Sequence, residues 1–191
     1  MKSAASGIVT ARRFEELLPI LQKRGDTPYV KKDLEMRINP FMYMKDAKSI
    51  IVHLFPYRNR KFDREYRDTA KTVLRNIAAD LPFKTKCFLD YGGLVERHLA
   101  YLAGLGFFGQ NNLLYNEKLG SRFYIGYIIT DQQLTPDTPI SGSCLKCNKC
   151  IKACPTHALG EDFEFNPYKC LAYLTDNGCD VCTDVCPMNE S

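Results

Sequence analysis

The 191-residue chain predicts an α/β (or α+β) layered domain followed by a small cysteine-rich domain. Three observations carry this reading. Short apolar runs with β-branched residues alternate with amphipathic helical segments up to about residue 131. A stretch rich in Pro, Ser, Thr and Asp, DQQLTPDTPISGS, follows and reads as a connector over residues 132–143. Eight of the nine cysteines then crowd into residues 144–186, so residues 144–191 form the second domain.

Taken in order, TARRFEELLPILQKRG places Phe14, Leu17, Leu18 and Leu21 at helical spacing. Thr10 reads as its cap, Gly25 as its stop, and Pro19 as a point of kinking or division. AKSIIVHLFP is a nearly unbroken apolar run with β-branched residues, the pattern of a buried strand. REYRDTAKTVLRNIAADL reads as a helix and KCFLD as a second short buried strand, with Cys87 a small apolar residue on it. LVERHLAYLAGLG is helical again, with Leu94, Leu99, Leu102 and Leu105 facing inward and Gly106 at its end. LLYNEKLGSRFYIGYIIT suggests two strands around an Asn-Glu-Lys-Leu-Gly turn.

Composition sets the outer limits. Apolar residues make up 45% of the chain, enough for a real core. The longest apolar stretches fall far short of the roughly 20 residues a membrane span needs. The N-terminus lacks the apolar core of a signal peptide, so a cytoplasmic protein without a membrane partner is expected. Net charge is +4, but Arg58, Arg60, Lys61, Arg64, Arg67, Lys71 and Arg75 gather in one segment against Asp63, Glu65 and Asp68. Such a segment is either a solvated helix face with compensating pairs or a surface that meets phosphates.

The cysteine spacing is the most specific signal. Without signs of secretion, crowded cysteines point to metal rather than disulfides. Cys144, Cys147, Cys150 and Cys154 follow C-x2-C-x2-C-x3-C with Pro155 next, the run of bacterial ferredoxins. Three closely spaced thiolates hold one 4Fe-4S cluster there, and the fourth turns to another cluster. Cys179, Cys182 and Cys186, with Pro187, supply the reciprocal run, so Cys186 completes the set of Cys144, Cys147 and Cys150. The second set, Cys154, Cys179 and Cys182, then lacks a ligand at the regular position, which is Asp176. Cys170 is the natural substitute, with an aspartate ligand or a three-iron cluster as alternatives. Structural zinc is the alternative for the whole array, although zinc sites do not need the C-x2-C-x2-C triplet or the crossed Cys-Pro pairs.

In order along the chain, RINPFMYMKDAKSIIVHLFPY, LDYGG, AGLGFFGQNNLL, LGS…IGYIIT, KCLAYLT and CDVCTDVCPMN together resemble the epoxyqueuosine reductase family. The likeness runs from about Gly7 to Asn189. It implies a Rossmann-like α/β domain over residues 1–131 that cradles cobalamin, with a ferredoxin-like domain carrying two 4Fe-4S clusters packed on it. The implied reaction is the last step in making the tRNA base queuosine, with clusters returning electrons to cobalt. Cluster potentials span roughly −700 to +450 mV, a range that includes the low values such cobalt chemistry requires. An external donor of flavodoxin or ferredoxin type would supply the electrons, and tRNA would be the macromolecular partner. The resemblance also selects Cys170 as the displaced eighth ligand.

The aspartate of the matching motif donates a proton to substrate in the family, which places the general acid at Asp90. From the residues alone, Asp90 either begins a turn before Gly92 or ends a strand where open α/β sheets place ligands. A carboxyl enclosed by apolar corrin and protein would have its pKa raised. Gly104, Gly106 and Gly109 would let the backbone approach a flat cofactor, and Asn111 and Asn112 would bind its amide groups. His53, His98 and His157 read as structural or tuning residues.

The chain also departs from the family. It lacks an initial helix, a stretch after IIVHLFP and the insertion between Cys170 and Cys179. It ends just after Cys186-Pro-Met-Asn without the C-terminal helical repeats that help hold tRNA in the family, and Gln110 stands where lysine is usual. Two other readings therefore accompany the first: a ferredoxin-like electron-transfer protein docking to a partner, and a relative of corrinoid reductive dehalogenases, whose usual proton donor is a tyrosine. Tyr91, Tyr101 and Tyr115 do not decide between them.

Overall fold

A computed structural model describes residues 2–24, 33–57, 64–89, 93–175 and 178–189. The first domain runs β1 (Ala5–Thr10), α1 (Leu18–Arg24), α2 (Leu34–Ile38), β2 (Ser49–Pro56), α3 (Arg64–Ala79) and β3 (Thr85–Leu89). It continues through α4 (Glu96–Leu102), β4 (Phe107–Phe108), β5 (Leu114–Tyr115) and β6 (Phe123–Thr130). The cysteine-rich segment holds only short helices, α5 (Lys149–Ala153), α6 (Leu171–Leu174) and α7 (Val181–Asp184).

Four strands form one sheet in the order β1-β2-β6-β3, and every neighbouring pair is antiparallel. This corrects the Rossmann-like expectation, which requires parallel neighbours. Strands β2 and β3, joined through α3, do run the same way, but β6 lies between them and runs against both. The late strand β6 enters between β2 and β3 and pairs with both.

Both faces of this sheet are covered, which explains the unbroken apolar run of β2. Ile50, Val52 and Leu54 join Tyr127 and Ile129 in a core closed by Phe14, Leu17, Leu94 and Leu99. On the other face Phe55, Leu89, Tyr124 and Ile128 pack on Ala70, Leu74 and Ala78 of α3. At about 25 cal/mol per Å² of apolar surface removed from water, these two layers supply the main stabilisation of the domain. The half-buried Cys87 belongs to the α3 layer, as its strand position predicted.

Several local expectations change. The edge strand β1 was not anticipated, and Thr10 ends it rather than capping a helix. The expected first helix is a 3-10 turn at Glu15–Leu17 that passes directly into α1, with Pro19 in its first turn, where a missing N–H costs nothing. Its expected stop, Gly25, lies outside the described residues. Helix α4 ends at Leu102, and the left-handed residue after it is Gly104 (φ +67°), not Gly106. The turn Asn116–Gly120 closes as expected, but β5 pairs with β4 and β6 joins the main sheet.

The connector is bound to the first domain. Asp137 exchanges backbone and side-chain hydrogen bonds with Ile8 of β1, at 2.9 and 2.8 Å. Leu134 N–H donates to Ser49 Oγ at 3.0 Å. Among the described residues no helix is long and apolar enough to cross a membrane.

Candidate metal centre

Turns with positive φ at non-glycine residues shape the cysteine-rich segment. Lys146 (φ 50°), Asn148 (φ 57°) and His157 (φ 51°) bend the chain tightly around Cys144–Cys154. Helix α5 carries Cys150 and packs against α7, which carries Cys182 and delivers Cys186 just beyond its end.

Cys144, Cys147, Cys150 and Cys186 line one cavity. Burial pushes the Cys150 thiol up, and Cys144, Cys186 and Cys147 add to the shift. The remaining four thiols form a second group. Burial raises Cys182 to about 12, with Cys170 and Cys179 beside it, and raises Cys170, with Cys179 and Cys154 beside it. At Cys154 burial is outweighed by hydrogen bonds, among them Ala158 N–H at 3.3 Å, and its pKa is lowered. Cys182 also feels Cys150, so the two groups adjoin. Cys170, the ligand that the family resemblance implies, therefore lies beside Cys154, Cys179 and Cys182. The competing position, Asp176, lies outside the described residues.

Clustered buried thiolates repel one another and lose hydration, and iron ions compensate both penalties. Eight thiols in two groups of four, one group lining a cavity, fit two 4Fe-4S clusters.

The first domain contributes Gly109, Gln110, Asn111 and Tyr115 to the cavity wall. Asn111 Nδ2 donates to the Tyr115 hydroxyl at 2.8 Å and to Cys182 O at 3.4 Å. The Tyr115 hydroxyl sits beside Cys186; burial raises its pKa, and that thiol raises it further. Gln110 is 5% exposed, and its Oε1 has no hydrogen-bond partner.

The residues expected at a corrin are engaged within the chain. A Cβ at Gly104 would meet Thr138 O at 2.5 Å, at Gly106 Tyr115 O at 2.3 Å, and at Gly109 the Tyr115 ring at 2.6 Å. Asn112 accepts from Arg24 Nη2 through Oδ1 at 2.7 Å, donates to Phe163 O at 3.0 Å, and accepts from Arg97 through its carbonyl. Asn111 and Asn112 thus tie the first domain to the cysteine-rich segment, while the three glycines allow close approach of Thr138 and Tyr115.

Asp90 lies outside the described residues, as do Tyr91, Arg58, Arg60, Lys61 and Asp63. Its flanks are firm: Leu89 is buried at the end of β3, and Leu94 N–H donates to the buried Tyr127 hydroxyl at 3.2 Å. His98 contacts Glu16 at 3.0 Å and Phe14 edge-on, and His53 is buried against Phe55 with its pKa lowered by burial. Both are structural, as expected.

Three arginines escaped the sequence reading. Burial lowers the pKa of Arg24 and Arg37; each also feels Arg97, and Arg24 feels Arg37. Arg24 further lies over the Phe165 ring at 5.8 Å, which sets it between the two domains. Scattered over α1, α2 and α4, they form no charge run, so only the fold brings them together.

The thiol groups and the fold define a two-cluster iron–sulfur protein built on an α/β domain. Residues 143–178 match the family described as 4Fe-4S double cluster binding domain. Epoxyqueuosine reductase of Leadbetterella byssophila is 31% identical over 96% of this chain and 74% of its own length. That of Bacillus subtilis is 29% identical over 96% of this chain. The solved epoxyqueuosine reductase with an epoxyqueuosine-modified tRNA-Tyr stem loop superimposes with a TM-score of 0.86 at 28% identity, over 100% of this chain and 62% of that one. A catabolic reductive dehalogenase shares the fold alone, at 17% identity and a TM-score of 0.70 over 99% of this chain and 30% of that one. The chain belongs to the epoxyqueuosine reductase family. It spans 59% of the length of the Bacillus subtilis relative.

Proposed function

We propose that this chain reduces epoxyqueuosine to queuosine in tRNA as a cobalamin-dependent, cytoplasmic reductase. Residues 1–131 would hold the corrin and substrate, residues 144–191 the clusters, and residues 132–143 the join. The observation that carries the reading is the shared wall at the cavity. Gln110, Asn111 and Tyr115 of the first domain close over Cys144, Cys147, Cys150 and Cys186, so a cluster there abuts the domain that bears Asp90.

Removing an epoxide oxygen as water takes two electrons and two protons. When bound, cobalamin would supply a reducible cobalt, and the clusters would supply single-electron relay from a flavodoxin- or ferredoxin-type donor. Cys144, Cys147, Cys150 and Cys186 hold one cluster, and Cys154, Cys170, Cys179 and Cys182 the other. The adjacency of Cys150 and Cys182 supports transfer between them. Asp90 delivers a proton to the substrate from its carboxyl group. The half-buried guanidiniums of Arg24 and Arg37, with Arg97 near both, suit the phosphodiesters that RNA and cobalamin carry. A relative solved with a tRNA stem loop supports RNA as the partner.

The test is anaerobic protein reconstituted with iron and sulfide, supplied with cobalamin, and then given an epoxyqueuosine-containing stem loop with dithionite. Wild type is expected to retain corrin and convert the base. Asp90→Asn is expected to keep cluster and corrin absorption and lose turnover. Iron–sulfur absorption without corrin retention would make this an electron-transfer protein instead.

A further inference from the structure

Gln110 is held at the wall of the cavity lined by Cys144, Cys147, Cys150 and Cys186, and it is 5% exposed. Its neighbours leave it little freedom. Gly109 N–H donates to Leu113 O at 2.9 Å, and Asn112 N–H to Gly109 O at 2.8 Å, closing a tight turn around it. Asn111 is tied to Tyr115 and to Cys182 O, so the turn is fixed to both domains. Yet Gln110 Oε1 has no hydrogen-bond partner. A buried carbonyl oxygen left unpaired is costly, and native proteins rarely keep one without a use.

The oxygen and nitrogen of an amide exchange places on a half-turn of the last side-chain torsion. Thiolate and sulfide sulfurs are acceptors that carry negative charge. They repel a carbonyl oxygen and attract an N–H, so a filled cavity favours the orientation with NH2 inward. Asn148 lines the same cavity, and its Oδ1 is likewise buried and without a partner.

We propose that the Gln110 side-chain amide, with Asn148 beside it, donates N–H···S hydrogen bonds to the cluster held by Cys144, Cys147, Cys150 and Cys186, and so raises the reduction potential of that cluster. The inference rests on the cluster assignment above. Reduction adds one negative charge to the cluster, and donors aimed at its sulfurs stabilise the reduced form more than the oxidised form. Gln110 is in this sense a positioning and tuning residue, separate from the proton donor. The two midpoints of the protein are thereby set apart by neutral side chains, without an added cation.

The experiment is a potentiometric titration of reconstituted holoprotein, followed by the electron paramagnetic resonance of each reduced cluster. Gln110→Leu is expected to lower one midpoint by about tenfold in the reduction equilibrium constant, about 59 mV for a one-electron couple, and to leave the other in place. Gln110→Glu should lower it further, since a carboxylate adds charge, and Gln110→Lys should raise it above wild type. Iron and sulfide content are measured for every variant. Unchanged midpoints in Gln110→Leu, or equal shifts of both, overturn the proposal. If Gln110→Leu fails to hold its clusters, the order of the Glu and Lys variants about wild type decides. Wild-type protein without sulfide would defeat the cluster assignment itself, a result distinct from unmoved midpoints.

Discussion

Ser121 N–H donates to Asn189 Oδ1 at 2.7 Å, joining the last described turn of the cysteine-rich segment to the approach to β6. Asn189 Nδ2 donates in turn to Thr183 O at 2.9 Å and Ser121 Oγ at 3.1 Å. Arg122 meets Asp184 at 2.9 Å nearby, so Cys186 is held between two cross-domain attachments. Asn189→Ala is expected to destabilise the holoprotein by about 1–3 kcal/mol, because it leaves half-buried polar groups unpaired. Urea unfolding measures this, and faster iron loss to a chelator should accompany it.

Cys170→Ala is expected to remove roughly half of the iron and sulfide, since it takes one thiolate from the second group only. Cys87→Ser, a change on β3 away from both groups, should leave iron content as in wild type. Colorimetric iron and sulfide assays separate the two. Full cluster content in Cys170→Ala would return the eighth ligand to Asp176.

Gly104 and Gly106 should prove structural. Gly104→Ala combines φ +67° with a Cβ 2.5 Å from Thr138 O, and Gly106→Ala puts a Cβ 2.3 Å from Tyr115 O. Each is expected to cost about 1–3 kcal/mol in urea unfolding, with or without cobalamin. A variant with unchanged stability and weakened corrin binding would restore the direct cofactor role.

Acid should weaken the attachment of α1. Arg12, and to a lesser degree His98, hold Glu16 down to about 2, against an opposing effect of burial. A depressed carboxylate stabilises the fold above its unfolded pKa, ordinarily 4.5, and this contribution fades as pH falls from there to about 2. The side chain is 41% exposed, so solvent screening keeps the gain below about 1 kcal/mol. Glu16→Gln should be less stable than wild type at neutral pH, and the gap should close on acidification. Reading that difference cancels the acid lability of the clusters common to both proteins.

Sequence reasoning reached the elements whose signal is local. β2 and α3 announce themselves by apolar runs and helical period, and the two thiol groups by the fixed spacing that a cluster imposes on its ligands. Sheet direction depends on β6 inserting between β2 and β3, a nonlocal event without a sequence pattern. β1 is short and begins with small residues, Ala5, Ser6 and Gly7, so it carries little strand signal. Glycine at 104, 106 and 109 marks close approach, and a Cβ there would meet Thr138 or Tyr115 of the chain itself. Arg24, Arg37 and Arg97 converge only in three dimensions.

The hold of Asp137 on Ile8 has a consequence for solubility. β1 is an outer strand whose free side would otherwise present Ile8 N–H and C=O to any passing polypeptide. Residue 137 satisfies both groups. Another chain could add a strand at that margin only by first displacing the connector, whose far end is held in place by the attachments of the cysteine-rich segment at Asp184 and Asn189.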